Sequence, residues 1–155
     1  MKTLILYATK HGATKEIAKR ISALIPDSTV CDLKSSNIPN TSDFDRVIIG
    51  GSVYAGSVRR ETKTFVAQNA DTLLKKQIGL FISSLTNGEY EQAFAVNFPS
   101  DVLSVAKAKA NLGGIYDPKT AGFFEKIIMR IVTKQSGYFT SITDEKIQLF
   151  VEAMI

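Results

Sequence analysis

The chain has 155 residues, 45% of them hydrophobic and 22% charged, a composition that suits one folded domain burying about 70% of its unfolded surface. Its 10 glycines and 4 prolines exclude a low-complexity or collagen-like chain; one cysteine, Cys31, excludes a disulfide framework or multi-cysteine metal centre, and one histidine, His11, a multi-histidine one. The formal net charge is +4, and residues 107–134 alone carry that surplus, setting Lys107, Lys109, Lys119, Lys126, Arg130 and Lys134 against Asp117 and Glu125.

No stretch approaches the ~20 apolar residues of a membrane span, and the N-terminus turns polar by Thr9, too early for a signal peptide. The expectation is a cytoplasmic protein. Leu4-Ile5-Leu6-Tyr7 is an apolar run without helical period, which predicts a strand over 2–8 buried on both faces. Ile17, Ala18, Ile21, Leu24 and Ile25 then recur at helical spacing between charged residues until Pro26, predicting a helix over 13–25. A half-polar second strand follows at 28–33, then a Ser/Asn/Pro-rich loop over 34–43 and a third strand over 46–51 that ends in Gly50 and Gly51. Helical material within 58–76 precedes a fourth strand at 77–83. Residues 90–108 are predicted mostly helical, with an interruption at Pro99, and 109–116 as the fifth strand. An additional helix over 121–135 comes before a closing helix over 143–154, capped by Thr143 with Asp144 and Glu145 in its first turn. Five strands alternating with helices predict a single α/β domain over 1–155 with a doubly wound parallel sheet.

Ligands of such sheets bind outside the carboxyl ends of the strands. After the first strand, Thr9-Lys10-His11-Gly12-Ala13-Thr14 feeds directly into a helix N-terminus, where free N–H groups and the helix dipole favour a phosphate. The pattern also suits an ordinary strand-to-helix turn capped by threonine. Gly51-Ser52-Val53-Tyr54-Ala55-Gly56-Ser57 and Ser83-Ser84-Leu85-Thr86-Asn87-Gly88-Glu89-Tyr90 follow the third and fourth strands. Small residues with an aromatic in each loop can hold a flat heteroaromatic ring by stacking on Tyr54 or Tyr90, or both tyrosines can simply pack over the sheet end; the ring reading is favoured for Tyr54 and packing for Tyr90. The chain lacks G-x-G-x-x-G, and Gly51 and Gly56 have P-loop spacing but are followed by Ser57-Val58, which argues against a nucleotide triphosphatase. Tyr7-Ala8 and Gly50-Gly51 replace the carboxylates of a phosphoacceptor site, and Cys31 has no arginine shortly after it, so it reads as a structural thiol.

With these loops placed, the chain resembles the flavodoxin superfamily, the segment from Met1 to Ala18 looking like its FMN-phosphate loop. Within it, the chain is similar to the flavodoxin-like, menaquinone-dependent protoporphyrinogen IX oxidases. Asp45-Arg46-Val47-Ile48-Ile49-Gly50, Leu112-Gly113-Gly114-Ile115-Tyr116 and the run from Phe124 to Ile131 with Lys134-Gln135-Ser136-Gly137 carry that likeness. The resemblance implies a flavodoxin-like sheet of order 2-1-3-4-5 with an extra helix before the last. It also implies FMN as cofactor, its phosphate held by Thr9, Lys10, His11, Gly12, Ala13 and Thr14. Ser52, Val53, Tyr54, Ala55 and Gly56 with Ser84, Leu85, Thr86, Asn87 and Gly88 would frame the isoalloxazine. The implied activity is an FMN-dependent oxidation of porphyrinogen in heme biosynthesis with quinone as electron acceptor, the flavin carrying the chemistry without a catalytic side chain or a metal. The alternative is a flavodoxin-type electron carrier without a substrate of its own.

In the 121–135 helix, Phe123, Phe124, Ile127, Ile128, Ile131 and Val132 cover one apolar arc, with Lys126, Arg130 and Lys134 on another face. Such a helix suits peripheral contact with an anionic membrane surface or a partner, or packing on its own domain. The cations lack a nucleic-acid motif and an aromatic stacking pattern, so nucleic acid is not expected as a partner.

Overall fold

β1 (Thr3–Ala8) is buried along its whole length, as a central strand of a sheet covered on both faces must be. In the computed structural model, which describes residues 1–86, 88, 90–132, 134 and 136–155, β1 pairs in parallel with β2 (Ser28–Asp32) on one side and β3 (Arg46–Tyr54) on the other. A two-residue strand, β4 (Ser57–Val58), folds back antiparallel onto the end of β3. β5 (Gln77–Ser83) and β6 (Ala106–Asn111) complete the parallel order β2-β1-β3-β5-β6. Leaving the small β4 uncounted, this is the predicted order 2-1-3-4-5.

Alternate residues of each strand point to opposite faces, and the helices divide accordingly. Ile5, Tyr7, Ile48 and Phe81 pack against Ile17 and Ile21 of α1 (Ala13–Leu24) and Ile147 and Phe150 of the closing helix over 144–154. Leu4, Leu6, Ile49 and Leu80 pack against Val66 and Leu73 of α2 (Arg60–Leu73), Phe94 of α3 (Tyr90–Asn97) and Val102 of α4 (Ser100–Val105). One glycine is dictated by this packing. Gly50 lies opposite Phe81 in the register, and a Cβ there would stand 2.0–2.4 Å from atoms of the Phe81 ring.

The structure corrects the sequence expectations in three places. The fifth sheet strand, expected over 109–116, is β6 at Ala106–Asn111. Ala106, Ala108 and Ala110 alternate with Lys107 and Lys109, a strand period with lysines on an exposed edge, so the helical stretch ends earlier, at Val105. After β6, Gly113 takes a left-handed φ of 93° and turns the chain, so Ile115–Tyr116 becomes a separate strand, β7, antiparallel to β8 (Phe139–Thr140). This two-stranded clamp closes the base of an excursion that carries the additional helix, α5 (Phe123–Val132). α5 is shorter than the predicted 121–135. Thr133 and Gln135 lie outside the described residues, and Lys134 has a left-handed φ of 55°, so it does not continue the helical row of Lys126 and Arg130. Third, β3 runs on to Tyr54, so Ser52, Val53 and Tyr54 are strand residues. The closing helix is α6 (Asp144–Met154), and Thr143 caps it as expected, accepting a hydrogen bond from the Lys146 N–H. Among the described residues no helix is long and apolar enough to cross a membrane.

Candidate functional site

The carboxyl ends of β1, β3 and β5 open into one cavity of about 370 Å³. Its first wall is the turn from β1 into α1. Gly12 caps α1 in the left-handed region with φ 95°, a conformation that glycine adopts without the penalty of a Cβ. The Gly12 N–H donates to Thr9 Oγ1 at 2.9 Å, and the Glu16 N–H returns to the Gly12 carbonyl at 3.0 Å. Thr14 lies fully buried just behind, and its Oγ1 has no hydrogen-bond partner among the described residues. A buried hydroxyl without a partner is costly. Beside a helix N-terminus, an anion would satisfy both it and the free N–H groups.

The second wall is the end of β3 and its turn. Ala55 and Gly56 take φ of 49° and 76°, both positive as a tight hairpin between β3 and β4 requires. Asn97, at the end of α3 and nearly buried, holds this turn. Its Oδ1 accepts from the Val58 N–H at 3.0 Å, and its Nδ2 donates to the carbonyls of Gly56 at 2.9 Å and Ala93 at 2.7 Å. Tyr54 stands about half exposed at the cavity, with Lys10 Nζ 4.2 Å from its ring centroid, within cation–π range.

The third wall is the loop after β5. Asn111, at the end of β6, pins it: Asn111 Oδ1 accepts from the Ser84 N–H at 3.2 Å and the Gly113 N–H at 3.1 Å, and Nδ2 donates to the Thr86 carbonyl at 2.9 Å. A fourth wall is contributed by the excursion, through Gly114, Ile115, Tyr116, Glu125, Ile128 and Met129. Glu125 reaches across to the first wall, where it pairs with Lys10 and lies 3.0 Å from His11 Nε2. Burial alone would raise its carboxyl pKa. The hydrogen bonds and charges of Lys10 and His11 outweigh burial and hold it below the ordinary carboxylate range.

Most of the predicted site residues converge here. Thr9, Lys10, His11, Ala13, Ser52, Val53, Tyr54, Ala55, Gly56, Ser84, Leu85 and Thr86 line the cavity, while Gly12 and Thr14 form the helix start behind it. Gly88 lies in a neighbouring surface hollow with Val53, Ser84 and Tyr90, and Asn87 falls outside the described residues. Tyr90 packs edge-to-face on Phe94, with centroids 6.3 Å apart, in keeping with its structural reading. Cys31 is half-buried on β2, and burial first, then the Asp32 charge, pushes its thiol up, which disfavours the thiolate. Asn97, Asn111 and Glu125 were not legible as site residues. Their partners lie 27 to 115 positions away in most of these bonds, and no local pattern marks such pairs.

Fold and cavity together define a doubly wound α/β domain with a helix N-terminus and a ring-sized space at the carboxyl edge of its sheet. Residues 4–143 match the flavodoxin domain family, and the chain belongs to it. Among curated proteins it is similar to the protoporphyrinogen IX dehydrogenase [quinone] of Leishmania major, 25% identical over 93% of this chain and 67% of that protein. The protein of the same name from Escherichia coli K12 is 23% identical over 94% of this chain and 86% of its own length. Among solved structures, a flavoprotein in complex with FMN from Lactobacillus acidophilus NCFM superposes with a TM-score of 0.57 at 20% identity, over 71% of this chain and 92% of that one. A flavodoxin from the domain Archaea gives 0.56 at 15% identity, over 100% of this chain and 94% of its own. These structures share the fold. FMN is the cofactor that membership of the family implies, and the residues present fit it. The orphaned Thr14 hydroxyl, the Thr9 hydroxyl and the α1 N-terminus suit its phosphate, and the two asparagine-pinned loops beside Tyr54 suit its ring.

Proposed function

We propose that the protein is an FMN-dependent oxidoreductase that oxidises a reduced small molecule of the porphyrinogen class and passes the electrons to a quinone. The observation that carries this reading is the fourth wall. Ile115, Tyr116, Ile128 and Met129 of the excursion make an apolar side to the cavity, room for an apolar reactant beside the flavin. The names of the Leishmania major and Escherichia coli relatives supply the substrate and acceptor classes.

When bound, FMN supplies acceptance of hydride from an organic donor and delivery of those electrons onward. The chain's own residues do the rest. Thr9, Gly12 and Thr14 hold the phosphate; Asn97 and Asn111 fix the loops that orient the ring; the excursion excludes water from one side. Hydride transfer asks for no general acid or base from the cavity wall. The test is turnover of protoporphyrinogen by the FMN-loaded protein with a soluble quinone, followed by porphyrin fluorescence. Turnover that needs both reactants supports the enzyme. Flavin-loaded protein that oxidises no porphyrinogen with any quinone supports the electron-carrier reading, which the likeness to flavodoxins favours and the sequence pI near 9.2 opposes, given the acidic surfaces usual in carriers.

The same reading puts the protein in the cytoplasm, at a membrane surface that holds the quinone. α5 exposes Phe123 (73%), Phe124 (70%) and Ile131 (72%) beside Lys126 and Arg130, an apolar and cationic combination suited to anionic lipid. Co-sedimentation with vesicles containing phosphatidylglycerol but not with purely zwitterionic ones, reduced by Phe123→Ser with Ile131→Ser, supports this. Equal behaviour of both vesicle types contradicts it.

A further inference from the structure

Among the described residues, α5 leaves most of its apolar side chains exposed. Among its described residues Met129 is buried, while Phe123, Phe124, Ile127, Ile128 and Ile131 are exposed. Apolar packing over so short and exposed a helix leaves its opening inexpensive. Glu125 adds a charged tie to the body of the fold. Glu125 pairs with Lys10 and lies 3.0 Å from His11 Nε2, bridging 114 and 115 positions of chain. Its Oε2 also accepts from the Gly122 N–H at 3.3 Å, the reciprocal bond by which a glutamate in the first turn caps its own helix. Lys10 in turn sits over the Tyr54 ring. A single side chain thus ties together the phosphate turn, the end of β3 and the cover of the cavity.

We propose that Glu125 is a positioning residue that fastens α5 over the cofactor cavity, and that release and re-formation of its link to Lys10 and His11 set the rate at which FMN leaves. The proposal rests on the FMN reading above and deepens it. The link consists of charge-assisted hydrogen bonds, and with the Glu125 side chain only 17% exposed it is shielded better than an ordinary surface pair. Lys10 and His11 belong to the turn that cradles the phosphate, so opening α5 and loosening the cradle are one event. Entry and exit past Ile128 and Met129, which line the cavity, require that event.

The test uses Glu125→Gln, which keeps the side-chain volume and an acceptor for the Gly122 N–H but removes the charge, so the helix cap survives and the link is weakened. Lys10→Gln, the double variant and a remote control, Glu152→Gln on α6, complete the set. FMN dissociation is timed by flavin fluorescence after dilution, and hydrogen exchange of the α5 amides is followed in FMN-free and FMN-loaded protein. Glu125→Gln is expected to speed dissociation about tenfold, the loss of one well-shielded charged link, and to speed α5 exchange by a similar factor in both forms. The effects of Glu125→Gln and Lys10→Gln should combine to less than their product in the double variant, and the control should match wild type. If wild type binds FMN yet Glu125→Gln leaves dissociation and exchange unchanged, or its effect multiplies fully with that of Lys10→Gln, the fastening is overturned and the cofactor reading stands. Wild type that takes up no FMN overturns both.

Discussion

Asn97→Ala removes the support of the turn that follows β3. The Val58 N–H donates to Asn97 Oδ1 at 3.0 Å, and Val58 is 2% exposed, so in the variant this donor is left buried without an acceptor, at about 1–3 kcal/mol. The carbonyls of Gly56 and Ala93 lose the donor that now sits at 2.9 and 2.7 Å, each bond contributing about 0.5–1.5 kcal/mol net. A total near 3 kcal/mol lowers the melting temperature of a domain of this size by roughly 6–12 °C. Asn97→Asp separates the contributions, because it keeps the acceptor for Val58 but turns a carboxylate oxygen toward the two carbonyls; it should be no more stable than Asn97→Ala. Urea denaturation gives the stability directly, and FMN titration should show affinity weakened about tenfold as residues 54–56 lose their fixed position. An Asn97→Ala variant within about 0.5 kcal/mol of wild type, with FMN affinity unchanged, would refute the assignment of Asn97 as the brace of this loop.

Thr14→Val should leave the FMN-free protein as stable as wild type or slightly more so, because the buried Oγ1 has no partner to lose, yet weaken FMN about tenfold by removing a phosphate donor; melting and titration of the same samples check both halves. Gly50→Ala should destabilise by at least about 1–3 kcal/mol, since its Cβ would enter the Phe81 ring; urea unfolding measures it, and restored stability on adding Phe81→Leu would identify the clash. The Glu125 carboxyl is held below its ordinary value, despite burial, by Lys10 and His11. Its stabilisation of α5 is therefore complete above the unfolded-state pKa of about 4.3 and is lost as pH falls through the lowered native value. Wild-type α5 exchange, corrected for the intrinsic rate, should rise across that acidic range, while Glu125→Gln should show no such step.

The sheet was legible in the sequence because its signals are local. The apolar run at Leu4 to Tyr7, the helical spacing from Ile17 to Ile25 and the apolar strand ending in Gly50 and Gly51 each declare their element within a few residues, and they bring the loops after the first, third and fourth predicted strands to one cavity. What was missed depends on contacts across the chain. The Ala/Lys alternation of β6 carries the strand signal, but its first half, 106–108, reads as the end of a helix because alanine and lysine are good helix formers, while 109–111 falls within the predicted strand. Asn97 and Asn111 look like ordinary helix-end and strand-end residues until their amides are seen bonded to loops far away in sequence. Glu125 reads as one acid on an amphipathic helix, and only the return of the excursion through β7 and β8 brings it to Lys10.

A cavity built to hold a phosphorylated flavin should distinguish FMN from riboflavin, which carries the same ring without the phosphate. Fluorescence titration of the flavin-free protein with both is therefore the most direct measurement. FMN should bind one to one and at least about a hundredfold more tightly than riboflavin, as a phosphate seated on a helix N-terminus and two hydroxyls would give, with Thr14→Val narrowing the gap. No FMN binding, or equal affinity for the two flavins, would contradict the assignment of residues 9–14 as the phosphate cradle and of the cavity as a cofactor site.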